Sequence, residues 1–211
     1  MIRSTVMKTM TSKAVFLDKD GTLIEDVPYN IDPELIQFTR GATEGLRRLQ
    51  AHDYRLIVVT NQSGVARGLF SEQDLLPVRN RLERLLSDAG IVLTDFYYCP
   101  HYPQAEVGKY AVNCFCRKPQ PGMLLRAAQE HNIDLKDSWM VGDILHDMEA
   151  GNRAGCRTLL IENHHETEWD LAPIRRPGFI ARDLKSAAQI IVDEDQMRME
   201  CNSWLTQMSI Y

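Results

Sequence analysis

The run Ala14-Val15-Phe16-Leu17-Asp18-Lys19-Asp20-Gly21-Thr22 decides how this chain is read. Four apolar residues in succession are too few for a helix and show no alternation, as in a strand covered on both faces. They stop abruptly at two carboxylates and a Gly-Thr turn. Three other runs share the pattern: Arg55-Leu56-Ile57-Val58-Val59, Trp139-Met140-Val141 and Thr158-Leu159-Leu160-Ile161. Amphipathic stretches lie between them at 42–52, 72–89, 121–132 and 145–154. In the second, Leu75, Leu76, Val78, Leu82, Leu85 and Leu86 recur at helical spacing among Arg79, Arg81, Glu83 and Arg84. Strands alternating with helices predict an α/β doubly wound parallel sheet.

Such a sheet binds its ligands at the carboxyl ends of the strands, and the polar residues stand there. Thr60-Asn61-Gln62-Ser63-Gly64 follows the second run, and Gly142-Asp143-Ile144-Leu145-His146-Asp147 follows the third. Cys116-Arg117-Lys118-Pro119 precedes the helix that starts near 121. Asp18 and Asp20 repel each other unless a cation sits between them, and Asp143 brings a third acid from another strand end. Oxygen ligands suit a hard ion such as Mg²⁺, which shares its remaining positions with water and phosphate. Lys118 supplies a fixed charge, and Thr60 and Asn61 supply a hydroxyl and backbone N–H donors. Each feature alone has an ordinary explanation: a turn, a helix cap, a loop cap, a solvated charge. All of them in this order at strand ends are the parts of a phosphoryl-transfer site.

Five cysteines, an odd number, argue against a secreted disulfide framework. Cys99-Pro100-His101 and Cys114-Phe115-Cys116 are separated by twelve residues. Three thiolates and one imidazole close a tetrahedral shell and leave no open position, so the expected metal is a structural Zn²⁺. It would clamp the 99–116 loop, which ends at Arg117 and Lys118. Cys156 reads as a small core residue and Cys201 has no evident partner. His146 reads as exposed, and His164 with His165 as an ordinary loop.

The order Asp-x-Asp-Gly-Thr, Thr-Asn, Lys-Pro, Gly-Asp-x-x-x-Asp resembles the haloacid dehalogenase superfamily of phosphatases, whose fold is Rossmann-like. The resemblance implies that Asp18 is the nucleophile and forms an aspartyl-phosphate, and that Asp20 is the general acid and then base. It implies that Asp18, the Asp20 backbone carbonyl and Asp143 hold Mg²⁺, that Thr60 and Lys118 stabilise the phosphoryl group, and that Asp147 orients the metal site from behind its ligands. The Cys-x-His and Cys-x-Cys pairs just before Arg-Lys-Pro, together with Asn61-Gln62-Ser63-Gly64-Val65-Ala66-Arg67-Gly68, resemble the heptose-1,7-bisphosphate 7-phosphatases. Histidinol-phosphate phosphatases share the plan. The implied activity is removal of the 7-phosphate of D-glycero-D-manno-heptose 1,7-bisphosphate, in ADP-heptose biosynthesis for lipopolysaccharide core or S-layer glycan. The implied substrate contacts are Asp26 and Tyr29 from a flap, Thr60, Asn61, Gln62 and Ser63 from the phosphate pocket, and Arg117 and Lys118. Ile144 departs from the family, which carries Lys there, and so does the flap Val27-Pro28-Tyr29-Asn30.

The chain has 211 residues and a net charge of −5. That length predicts one domain able to bury a sizeable core, and that charge argues against a general nucleic-acid binder. No run reaches the 18 apolar residues of a membrane span, and residues 1–13 lack the apolar stretch of a signal peptide. The expectation is a cytoplasmic monomer, with a phosphatase domain over 13–193, no large cap domain, and a tail over 194–211. The gap from Thr60 to Lys118 should hold a helix, a strand and the zinc loop. In the tail, Met197, Met199, Trp204 and Leu205 are candidates to dock on the core, and translation could start at Met1, Met7 or Met10. Rival readings are another small phosphosugar phosphatase, a phosphotransferase, and a phosphate-binding scaffold without turnover.

Overall fold

The computed structural model describes residues 11–166, 169–170 and 172–208, with side chains placed as far as Cys201. Met1, Met7 and Met10, and the side chains of Trp204 and Leu205, lie outside the described residues. The first apolar run becomes β1 (Lys13–Leu17), at the middle of a six-stranded sheet. The chain continues through α1 (Ala42–Ala51), β2 (Tyr54–Asn61), α2 (Leu75–Asp88) and β3 (Leu93–Cys99). After the 99–116 loop come α3 (Gly122–His131), β4 (Trp139–Gly142), α4 (Leu145–Ala154), β5 (Arg157–Ile161), β6 (Phe179–Ala181) and α5 (Leu184–Met208). The strand order is β3-β2-β1-β4-β5-β6, and every pairing is parallel.

Burial explains why the strands read as unbroken apolar runs. Val15 and Leu17 point to one face of β1 and join Leu46 and Leu49 of α1, Leu82 and Leu86 of α2, and Leu184 and Ile191 of α5. Ala14 and Phe16 point to the other and join Leu124 and Ala127 of α3 and Ala150 of α4. A sheet with helices on both sides offers no wet face, so alternation vanishes. In register, Phe16 of β1 stands beside Ile57 of β2 and Met140 of β4.

β1, β2, β4 and β5 fall where the apolar runs predicted them. β3 is the strand expected between Thr60 and Lys118; at the sheet's edge it mixes Thr94, Asp95 and Tyr98 with apolar residues and carries no run. β6 is three residues long and was not anticipated. α2 starts at Leu75, not 72, because Ser71 and Asp74 close a short 3₁₀ turn at Glu72–Asp74, in which Ser71 donates to Asp74 Oδ2 at 2.8 Å. The 193/194 boundary falls inside α5, and Asp195, just beyond it, pairs with β1 and β5. Met197 and Met199 are exposed, so they do not dock on the core as expected. Cys156 is buried among α3 and α4 side chains. No helix among the described residues is long and apolar enough to cross a membrane.

Candidate active site and metal centre

The strand order reverses direction at β1 and β4, the switch point where an open α/β sheet leaves a crevice. Asp18 follows β1 and Asp143 follows β4. The ladder carries on into the site, with Asp18 N–H donating to the Val141 carbonyl at 2.9 Å. Oxygens of Asp18, Asp143 and Asp147 all lie within 4.8 Å of one another, and all three residues are buried. Gly142 permits this, because a Cβ there would fall 2.2 Å from Asp147 Oδ2.

Lys118 is drawn into the acids from the loop before α3. Its ammonium, 2 % exposed, reaches Asp18 Oδ1 at 2.5 Å, Asp147 Oδ1 at 2.6 Å and the Val59 carbonyl at 2.9 Å. Two hydrogen bonds, to Asp18 and the Val59 carbonyl, and an ion pair with Asp147 hold the buried charge. Burial opposes its charge, but Asp147 and Asp18 outweigh that and hold the ammonium well above the usual lysine range. Burial likewise pushes the Asp18 carboxyl up to about 7; Lys118 pulls it down, while Asp147 and Asp20 push it up. Burial and the charge on Asp18 raise Asp143, and burial raises Asp147 against the pull of Lys118. One ammonium does not neutralise three buried acids, and the donor set is all oxygen, so a hard divalent cation fits the cluster.

The other expected residues divide between holding the site and facing the cavity. The Asn61 amide is committed to Lys118: its Nδ2 donates to the Lys118 carbonyl and its Oδ1 accepts from the Lys118 N–H, both at 3.0 Å. It therefore fixes the lysine's loop, although it was expected to contact substrate. Gln62 donates to Asp20 Oδ2 at 3.1 Å and to Thr60 Oγ1 at 3.0 Å, linking the second acid to the buried threonine. Asp20, Asp26, Tyr29, Asn61, Gln62 and Ser63 line a cavity of about 240 Å³. Tyr29 adopts φ 55°, left-handed for a non-glycine, where the flap turns back over the crevice. Arg117 directly follows the 99–116 loop, donates to the His101 carbonyl at 3.1 Å, and shares the Tyr102 ring with Arg67.

Sequence reasoning missed three residues here. Lys19, 3 % exposed, donates to Asp20 Oδ1 at 2.7 Å, so it belongs to the site and is not a strand-end charge in water. Asn163 and His165 come from the loop after β5 and reach Asp143 Oδ2 at 3.2 and 2.8 Å, so the reading of that loop as ordinary is corrected. A polar cluster after a fourth apolar run was the available signal. His146 is exposed in the first turn of α4.

Cys99, His101, Cys114 and Cys116 gather into one cluster, with sulfur–sulfur distances of 3.1, 3.2 and 3.5 Å. His101 Nδ1 lies 3.3 Å from Cys116 and 3.6 Å from Cys99. A tetrahedron around zinc, with bonds of about 2.3 Å, needs sulfurs about 3.8 Å apart, so a small outward movement would admit the ion. All five cysteines are free thiols. Within the cluster the hydrogen bond between Cys99 and Cys116 draws the Cys116 thiol down to about 5 and, with burial, pushes the Cys99 thiol well up; a metal would require both as thiolates.

A family model described as HAD-hydrolase-like matches residues 115–187. D-glycero-beta-D-manno-heptose-1,7-bisphosphate 7-phosphatase of Pasteurella multocida (strain Pm70) is 46% identical over 149 residues, 71% of this chain and 80% of that protein. D-glycero-alpha-D-manno-heptose-1,7-bisphosphate 7-phosphatase of Photorhabdus laumondii is 37% identical over 156 residues, 74% and 85%. Among solved structures, D,D-heptose 1,7-bisphosphate phosphatase from B. bronchiseptica, complexed with magnesium and phosphate, superposes with a TM-score of 0.74. It is 30% identical and the match covers 86% of this chain and 99% of that one. Identity of this extent, over a sheet whose switch point gathers the same acids and lysine the motifs had marked, leaves one assignment: the chain is a phosphoric monoester hydrolase that belongs to the heptose-1,7-bisphosphate 7-phosphatase family of HAD-like hydrolases.

Proposed function

We propose that this protein removes the 7-phosphate of a heptose 1,7-bisphosphate through an aspartyl-phosphate on Asp18, in the biosynthesis of ADP-heptose. The observation that carries the mechanism is the buried Lys118 ammonium against Asp18, with Asp20, paired to Lys19, lining the cavity. Support for the substrate comes from the family. In the first step Asp18 attacks phosphorus, the bond from phosphorus to the sugar oxygen breaks, and Asp20 gives that oxygen its proton. In the second, water attacks the phosphorus of the aspartyl-phosphate, its proton passes to Asp20, and inorganic phosphate leaves with Asp18 restored. Lys118 and Thr60 would offset the charge on the transferring group. Mg²⁺ held by Asp18, the Asp20 carbonyl and Asp143 would supply the remaining neutralisation, with Asp147 behind Lys118. Arg117 would meet the second phosphate, a task its bidentate fork suits. Zn²⁺ on the cysteine–histidine cluster would hold the loop that delivers Arg117 and Lys118. One chain contributes every group named, which supports a functional monomer, and an odd cysteine count with three thiols in the metal cluster supports a cytoplasmic setting.

The test is a panel in Mg²⁺ comparing kcat/KM for both anomers of heptose 1,7-bisphosphate, histidinol phosphate and simple sugar phosphates. At least a tenfold preference for a heptose bisphosphate is expected, about 1.4 kcal/mol of transition-state discrimination, and Asp18→Asn should cost at least about 10³-fold. Preference for histidinol phosphate would overturn the substrate, and full activity of Asp18→Asn would overturn the nucleophile.

A further inference from the structure

The loop after β5 reaches the acid that follows β4, the neighbouring strand. Asp143 is 4 % exposed and its carboxylate is held from three sides. Thr22 Oγ1 donates to Oδ1 at 3.3 Å. Oδ2 accepts from Asn163 Nδ2 at 3.2 Å and from His165 Nδ1 at 2.8 Å. With the carboxylate ionised, the Nδ1 of His165 must carry the proton. Asn163 also donates to the Gly21 carbonyl at 2.7 Å, which ties this loop to the turn that carries Asp20.

The loop is built to present these donors. Asn163 Oδ1 accepts from the His165 N–H at 3.1 Å, which folds the segment back on itself. His164 between them takes φ 68°, a left-handed conformation that is strained for a non-glycine residue. Gly21 stands opposite at φ +78°, and a Cβ there would fall 2.0 Å from Asp143 Oδ2 and 2.5 Å from His165 Nδ1. Backbone strain on one side and a missing side chain on the other make room for one contact, that between the His165 ring and Asp143. With Oδ2 taken by two donors and Oδ1 by Thr22 alone, Oδ1 is the oxygen with capacity left for a cation.

We propose that Asn163 and His165 are positioning residues for the divalent-cation site, fixing Asp143 so that its Oδ1 faces the cation. The inference rests on the reading of Asp143 as a cation ligand. It makes the β5 loop, which contributes no ligand itself, the part of the molecule that sets cation affinity. Partners of this kind, behind a metal ligand, are worth about 10–100-fold in affinity.

The test measures cation binding directly, by calorimetry with Mg²⁺ and by the spin-resonance signal of bound Mn²⁺, on zinc-loaded protein without substrate. His165→Ala is expected to weaken binding tenfold or more. His165→Asn places an amide N–H where Nδ1 was and should recover most of the loss, whereas His165→Gln, with its donor one bond further out, should not. In assays, the Mg²⁺ concentration for half-maximal rate should rise in parallel in His165→Ala, with a much smaller fall in rate at saturating Mg²⁺. Melting temperatures in EDTA check that each variant is folded, and Asn163→Ala gives a second route to the same loss. Cation affinity in His165→Ala within twofold of the parent would overturn the proposal, as would equal losses in His165→Ala and His165→Asn. If the parent hydrolyses phosphate esters and binds Mg²⁺ while His165→Ala matches it, only this inference falls. If the parent binds no divalent cation, the reading of the acid cluster falls with it.

Discussion

Lys118 is the residue on which the site's electrostatics turn. An ammonium enclosed by Asp18, Asp147 and a carbonyl leaves strong partners unmatched if removed, and breaking such a pair costs about 3–5 kcal/mol. Without it, burial and the neighbouring carboxylates push Asp18 and Asp147 further up, and their folded pKa values already lie above the unfolded ones. A carboxyl whose folded pKa is raised destabilises the fold as pH climbs from the unfolded value toward the folded one. Lys118→Met is therefore expected to lose about 3 kcal/mol at pH 8 in EDTA and clearly less at pH 5. Chemical denaturation at the two pH values measures it; equal losses would show that Lys118 acts through packing. Lys19 and His165 show what a sequence hides at this scale. A lysine beside an aspartate is most often a solvated charge, and His165 meets its carboxylate across 22 positions of chain.

At the scale of elements, the 99–116 loop stands apart. Glu72 accepts hydrogen bonds from the Tyr98 and Tyr110 hydroxyls at 2.6 and 2.5 Å, which with the cysteine–histidine cluster are among the fastenings of a stretch with little secondary structure. Removing zinc by chelation, or replacing Cys116 by Ser, is expected to lower stability by about 2.7 kcal/mol, the linkage value for zinc at a hundredfold excess over its Kd. It should also depress activity, because Arg117 and Lys118 follow Cys116 directly. Metal analysis and thermal melting measure the first effect, and assays in excess Mg²⁺ the second. An unchanged Tm in metal-free protein would show that the tyrosine contacts suffice. Strands β1, β2, β4 and β5 were legible because burial on both faces writes itself as unbroken apolar runs, and the acids after them because strand ends are where polar residues stand out. β3 carried no run because an edge strand packs on fewer sides, and the 193/194 boundary failed to mark an element because α5 continues its polar pattern through it.

At the scale of the whole molecule, α5 ties the sheet together at the end away from the chemistry. Asp195 Oδ2 accepts from Lys13 at 2.8 Å and from the Tyr54 hydroxyl, and Oδ1 accepts from Arg157 at 2.5 Å, so one carboxylate joins the starts of β1, β2 and β5. Burial works against its charge, but the bonds from Lys13, Tyr54 and Arg157 prevail and hold its pKa below the ordinary carboxylate range. A depressed carboxyl stabilises the fold above its unfolded pKa of about 3.9, and that contribution is lost as pH falls through the folded value. Asp195→Asn is expected to cost about 2 kcal/mol at pH 7, with the two stability curves converging below about pH 4. A constant difference across the acid range would show that its charge is irrelevant.

The strand order also sets when the chemistry comes into being. β1, β2 and β3 are neighbours in the sequence as well as in the sheet, so the first half of the chain can pair its own strands as it emerges from synthesis. Thr22 and Asp143, by contrast, meet across 121 positions, and that closure carries a larger entropic cost. A half-made chain thus carries Asp18 at the end of a strand that still lacks β4 beside it. The acids are not crowded together until the sheet that must withstand their repulsion has closed around them.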